Sequence, residues 1–330
     1  MKVILVTGAT GFLGRHLIEQ LRRSDARLRI LCRSAAPWEQ ETGFEIFCGD
    51  VVRRDHVRRA AEGVQEIYHL AGMVSRDPRD AERLFRTHVE GTRHVLDVAL
   101  EHGVEKVLVV SSSGTIAVSR EPVVRDETAG YPYEVIGAWP YYLSKVYEEK
   151  LALEYFAQRR LPVVVVNPSL LLGPGDDRGS STRDVALFLE GQILAVPRGG
   201  LSFVDVRDAA AGTIAAMERG RPGERYLLGG VNWSFRELIE TVARISGRRA
   251  PRLEPSLQTS LRGARWLRRL YRLAGKSFKL DDASIQMSAC FWYCDSTKAK
   301  NELGFRTRDP LETLKDTVED VLQRLGSQRR

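Results

Sequence analysis

The chain has 330 residues, 43% hydrophobic and 28% charged, and its 50 Lys+Arg against 43 Asp+Glu give a formal charge of +7. This composition excludes a disordered or collagen-like chain. A folded chain of this length buries roughly 75% of its extended surface and has room for one large domain or two modest ones. No run of about 18 apolar residues occurs, and the short apolar opening at 2–6 passes into a Gly/Thr turn with no signal-peptide pattern, so a soluble cytoplasmic protein is expected.

Strand-like runs at 2–6, 28–32, 44–47, 66–69, 106–110 and 162–166 alternate with helical patterns beginning near Gly11, Arg54, Asp80 and Tyr141. Alternation of this kind predicts an α/β chain with one doubly wound parallel sheet. In the helix from Asp80, Leu84, His88, Gly91, Val95 and Val98 recur at three- and four-residue spacing and give one packable face. Past Asn167-Pro168 the pattern loosens into a turn cluster at 173–177, a short helix near 182–189 and a strand-like run at 201–204, read as a lid or substrate region. Asp208 is expected to cap a helix running to Arg219, residues 226–228 to form a strand, and Ser234 with Glu237 to make a capping box for a helix ending at Gly247.

The segment 262–272 sets five arginines around Trp266, Leu267, Leu270 and Tyr271. It reads as a basic amphipathic helix packed on the substrate lobe with solvated arginines; membrane contact is not expected. The remaining positive excess is interleaved with acids along many helices, which is a solvated surface rather than a nucleic-acid face. Cys32, Cys48, Cys290 and Cys294 form no CxxC pair and read as reduced thiols, without a metal site.

Between the first strand and first helix stands Thr7-Gly8-Ala9-Thr10-Gly11-Phe12-Leu13-Gly14. Glycines at three-residue spacing allow a sharp turn, bring amides close to a pyrophosphate and let the helix pack on the strand, although a plain strand-to-helix reversal uses glycines too. The second strand ends in Cys32-Arg33-Ser34, with no acid to serve a ribose hydroxyl. An arginine there pairs with a 2′-phosphate and Ser34 adds a hydrogen bond, so NADP(H) is preferred, with NAD(H) as the alternative. Asp50, followed by Val51, is placed for the adenine amino group, and Leu70-Ala71-Gly72 for the dinucleotide; either is also compatible with simple turn chemistry.

Tyr141 and Lys145 lie one helical turn apart on one face. A tyrosine titrates near pH 10 when unperturbed, and a neighbouring cation stabilises its phenolate. Ser111, Ser112 and Ser113 end the preceding strand, on the sheet edge where ligands bind.

With these motifs the chain resembles the extended short-chain dehydrogenase/reductase family, also called the NAD-dependent epimerase/dehydratase family. The resemblance rests on TGATGFLG (7–14), GDV (49–51), HLAG (69–72), VSSSGT (110–115), YYLSK (141–145) and NPSLLLGPGD (167–176). GERYLLGG (223–230) and DSTKAKNELGF (295–305) are similar to the C-terminal lobe of its dihydroflavonol-reductase-like and hopanoid-associated sugar-epimerase branch. It implies a Rossmann-type parallel sheet over 1–167, with sheet and helix elements also from about 201–228, and a smaller mixed substrate lobe over 168–200 and 229–330.

The resemblance further implies a Ser-Tyr-Lys mechanism. Ser112, with Ser113 as the alternative, bonds the substrate oxygen; Tyr141 donates a proton; Lys145 lowers the tyrosine pKa and, with Tyr141, contacts the cofactor. Pro168 and Ser169 flank the nicotinamide, and Gly8 with residues 10–13 the pyrophosphate. A homodimer through the helices beginning near Asp80 and Tyr141 is implied in the same way.

The chain also departs from the family. His88 replaces a common asparagine, as a hydrogen-bonder behind the site or a packed histidine, with no catalytic role assigned. Ser112-Ser113-Gly114 lacks the carboxylates of sugar-nucleotide dehydratases, and Ile116-Ala117 replaces the asparagine used for flavonoid hydroxyls. The leading reading is therefore an NADPH-dependent reductase of a ketone or aldehyde, or the reverse oxidation. An epimerase with tightly bound nucleotide is the alternative, and a non-catalytic cofactor-sensing regulator comes third. Trp233, Trp266, Tyr271, Phe278, Phe291, Trp292 and Tyr293 are candidates to line an apolar substrate pocket, with ordinary core packing as the competing role.

Overall fold

The β-branched runs assemble into parallel strands in the computed structural model of the protein, which describes residues 2–34, 43–273, 275 and 281–327. The first half runs β1 (Val3–Thr7), α1 (Phe12–Leu21), β2 (Arg27–Cys32), β3 (Phe44–Cys48), α2 (Arg54–Ala60), β4 (Glu66–His69), α3 (Ala81–Phe85), a π turn (Arg86–Glu90), α4 (Gly91–Glu101), β5 (Lys106–Val110), α5 (Tyr133–Ile136), α6 (Pro140–Arg159) and β6 (Val163–Pro168). The second half continues with β7 (Leu170–Leu172), α7 (Arg183–Leu189), β8 (Gly200–Asp205), α8 (Val206–Arg219), β9 (Arg225–Leu228), β10 (Val231–Ser234), α9 (Phe235–Ser246), α10 (Leu257–Leu273), α11 (Asp282–Met287), β11 (Phe291–Trp292), α12 (Thr297–Leu303) and α13 (Pro310–Ser327).

Among the described residues the main sheet has seven strands in the order β3-β2-β1-β4-β5-β6-β9, all parallel. The order reverses between β1 and β4, and their carboxyl ends open a crevice there. Helices cover both faces. Leu17, Ile30, Val166 and Tyr226 belong to one core, and Ile67, Val95, Val107 and Val165 to the other. A strand covered on both faces needs apolar residues at every position, which is why 163–166 is an unbroken run of buried valines.

A smaller sheet forms around β8, with β10 antiparallel on one edge and β7 and β11 parallel on the other. The 201–204 run thus lies outside the main sheet: Phe203 pairs with Leu170 and Val231, and of the 201–228 stretch only α8 and β9 return to the seven strands. β8 is buried along its whole length, so its pattern says that it is interior and not which sheet it joins.

The cap of α8 also moves. The Asp205 carboxylate accepts the Arg207 N–H at 2.8 Å, whereas Asp208 lies inside the first turn and accepts from the Arg308 N–H at 2.7 Å. The Ser234/Glu237 capping box and the left-handed Gly247 stop are present as read. All four cysteines are free; Cys32, Cys290 and Cys294 are buried and Cys48 is exposed. Among the described residues no helix is long and apolar enough to cross a membrane, and no group of three His, Cys, Asp or Glu side chains could hold a metal.

Candidate active site

The chain leaves β1 through Gly8, whose φ of +74° is a conformation that side-chain-bearing residues disfavour. A Cβ at Gly8 would lie 2.5 Å from the Leu70 carbonyl group, and one at Gly14 would lie 2.3 Å from the Gly8 oxygen. Only glycine lets this turn press against the end of β4. No side chain caps α1, so its first amides and the positive end of its dipole are free to meet an anion.

Gly8, Thr10, Gly11, Phe12, Leu13, Arg33, Asp50, Val51, Leu70, Ala71, Gly72, Pro168 and Ser169 all line one cleft of about 1620 Å³, together with Ser112, Tyr141 and Lys145. Ser34 is exposed and is not among the lining residues. Arg33 is exposed on the cleft and has no acidic partner among the described residues. Asp50 accepts the Val52 N–H at 3.2 Å, so its carboxylate serves the turn as well as facing the cleft. The Ser169 hydroxyl is buried without a hydrogen-bond partner among the described residues. An uncapped helix end, a cradle that a Cβ would fill, a lone cation and an unpaired hydroxyl together fit a nicotinamide dinucleotide.

The serines at the end of β5 divide by partner. Ser111 donates to the buried Glu149 carboxylate at 2.7 Å, whereas the half-buried Ser112 hydroxyl faces the Tyr141 phenol and favours its ionised form. Burial, Tyr142 and Glu148 outweigh that effect and hold the phenol above its ordinary value. Lys145 is not among the groups that shift the phenol. The Lys145 ammonium donates to Glu148 at 2.6 Å and to the Val110 carbonyl at 2.9 Å, so a carboxylate takes up its field. Glu148 is fully buried, which lifts its carboxyl well above the usual range to about 7, with Lys145 pulling the other way.

Two neutral histidines tie this helix to the end of β4. His69, lowered to about 3 by burial and by Lys145, lies 2.7 Å from the Thr7 hydroxyl and 2.9 Å from that of Thr92. Thr92 donates to Glu148 at 3.1 Å, so the His69 Nε2–H donates to Thr92 and Nδ1 accepts from Thr7. The π turn brings His88 behind the site. Its Nε2 accepts the Met73 N–H at 3.0 Å, its Nδ1–H donates to Ser144 at 2.8 Å, and Ser144 donates to the Tyr141 carbonyl. His88 is thus both a packed histidine and a hydrogen-bonder, edge-on to the Tyr141 ring at 5.8 Å.

The sequence reading missed Glu148, Glu149 and the substrate-end pair Arg76–Asp184. Glu149, four residues past Lys145 on the same face, carried a readable signal. Arg76 bridges the segment after β4 to α7 through both Asp184 oxygens, at 3.2 and 3.1 Å, and to Ser284 at 3.0 Å; nothing local announced that pairing. Of the seven proposed aromatic liners, only Trp292 lines the cleft, where it stacks on Tyr142 at 4.8 Å. Trp233 packs on Phe203, Phe291 packs on Tyr293, Tyr271 is half-buried, Trp266 is exposed, and Phe278 lies outside the described residues. Aliphatic residues such as Val185, Ile193, Leu238 and Ile239 form the apolar wall instead.

Residues 4–229 match the family described as the NAD dependent epimerase/dehydratase family. A Synechocystis sp. protein provisionally named dihydroflavonol 4-reductase is 33% identical over 321 residues, 95% of this chain and 92% of its own length. Sterol demethylase protein B of Methylococcus capsulatus is 33% identical over 253 residues, 76% of each chain. The crystal structure of gox2253 superposes with a TM-score of 0.83 at 32% identity over 98% of both chains. This chain belongs to the NAD dependent epimerase/dehydratase family, the extended short-chain dehydrogenase/reductase enzymes.

Proposed function

We propose that the protein is an NADPH-dependent oxidoreductase that reduces an apolar ketone or aldehyde, or oxidises the corresponding alcohol. The observation that carries this reading is the half-buried Tyr141 phenol, held in its acid form beside Ser112, on the same cleft as the glycine turn and Arg33. A nicotinamide dinucleotide supplies the hydride when bound. Ser112 then holds the carbonyl oxygen, Tyr141 gives its proton to that oxygen as negative charge develops, and Lys145 anchors the ribose end of the site. Glu148 fixes Lys145 from behind. The aliphatic wall and Trp292 give the cleft an apolar stretch, and the charges of Arg76 and Asp184 at its substrate end are paired with each other, which supports an apolar carbonyl compound.

Arg33 supports NADP(H) because it offers a guanidinium where an acid would repel a 2′-phosphate. Arg33→Ala is expected to weaken NADPH binding about 10- to 100-fold, the worth of a charge-assisted hydrogen bond, and to leave NADH binding nearly unchanged. Fluorescence titration of both nucleotides measures this. Tighter binding of NADH than NADPH by the unsubstituted chain would overturn the assignment of Arg33.

A further inference from the structure

Helix α10 contains five arginines and no acidic residue. Its inner face, around the buried Ala264, packs on the substrate lobe, where Arg268 is ion-paired with Asp282. The outward face does not fit the solvated-arginine reading. Trp266, Leu270 and Leu273 recur there at helical spacing and are 64%, 41% and 82% exposed. Arg262, Arg269 and Arg272 stand beside that stripe, exposed and without an acidic partner among the described residues. Exposed Arg249 and Arg252 add positive charge on the segment leading into the helix.

The stripe is continuous with the cleft. Thr259 and Gly263 of α10 line it, and Leu270 follows them by eleven and seven residues, which at 100° per residue returns it to within about 20° of each around the helix. Leu194 and Leu253, 48% and 70% exposed, line the same cleft, so its rim is apolar where it meets solvent. An apolar stripe with tryptophan, a flank of unpaired arginines and an apolar opening beside them match the boundary of a bilayer that carries negative headgroups.

We infer that α10 seats the protein on an anionic phospholipid bilayer, with Trp266, Leu270 and Leu273 entering the acyl boundary and Arg262, Arg269 and Arg272 on the headgroups. The occupant is the bilayer rather than a second copy of this chain, because a second copy would bring the same unpaired arginines against these. The cleft then opens onto the membrane surface, from which an apolar compound can enter without crossing water.

Flotation of the 330-residue chain with vesicles tests this. Binding to 70:30 phosphatidylcholine:phosphatidylglycerol vesicles is expected to exceed binding to pure phosphatidylcholine by at least about tenfold at low salt, and to fall as salt rises. The triple serine variant of Trp266, Leu270 and Leu273 and the triple glutamate variant of Arg262, Arg269 and Arg272 should each lose at least about tenfold. None of these six side chains belongs to the site described above, so nucleotide titration and thermal melting report that the variants fold. Absence of binding to anionic vesicles overturns the inference. So does equal binding by both variants, or a dimer in solution that the serine variant converts to monomer without any vesicle binding by the parent chain.

Discussion

Tyr141→Phe is expected to lower the turnover of carbonyl reduction by about 10²- to 10⁴-fold, the contribution of a positioned proton donor. The ring stays where it is, edge-on to His88 at 5.8 Å and to Tyr142 at 5.0 Å, so the substitution removes one hydroxyl and little packing. The phenol is in its acid form at neutral pH because burial, Tyr142 and Glu148 all oppose the phenolate. That is the protonation state a reduction consumes. NADPH affinity should fall by no more than about tenfold, the worth of one neutral hydrogen bond. Turnover within about threefold of the parent chain, with nucleotide binding intact, would remove Tyr141 from the reaction.

Glu149→Ala is expected to destabilise the fold by about 3–5 kcal/mol, because it breaks a buried ion pair and leaves a cation uncompensated. The Glu149 carboxylate is completely buried and gathers five donors: Ser111 at 2.7 Å, Asn167 at 2.7 Å, Arg225 at 2.9 Å, Thr115 at 3.0 Å and Tyr131 at 3.2 Å. These donors come from the ends of β5 and β6, from β9 and from the segment before α6, so one carboxylate holds together the strands that carry Ser112 and Pro168. In a chain of this length the loss corresponds to a fall in melting temperature of about 4–8 °C. Glu149→Gln should recover less than half of it, since its amide adds donors to a site already full of them. A thermal melt of Glu149→Ala within about 1 °C of the parent chain contradicts this account.

What could be read from the sequence was what is local. The glycine turn at Gly8, the Tyr141–Lys145 spacing and the strands of the main sheet each depend on a dozen neighbouring residues, and the structure brings them to one cleft. The failures depend on residues far apart in the chain. Lys145 was expected to act on Tyr141, but the carboxylate that occupies it, Glu148, is itself set by burial and by Thr92, 56 residues earlier. The membership of β8 in the smaller sheet is decided by partners at Leu170 and Val231. The aromatic residues of the C-terminal part signalled apolar bulk without saying which way it pointed; Trp292 turns to the cleft and Trp266 to solvent.

The reductive reading stands or falls on the stoichiometry of the nucleotide. The chain should be mixed with NADPH and a panel of apolar ketones and aldehydes, with nicotinamide absorbance and product mass followed together. One NADPH consumed for each alcohol formed is the predicted result. A substrate that changes configuration while the nucleotide stays bound and undiminished would contradict it and make the protein an epimerase.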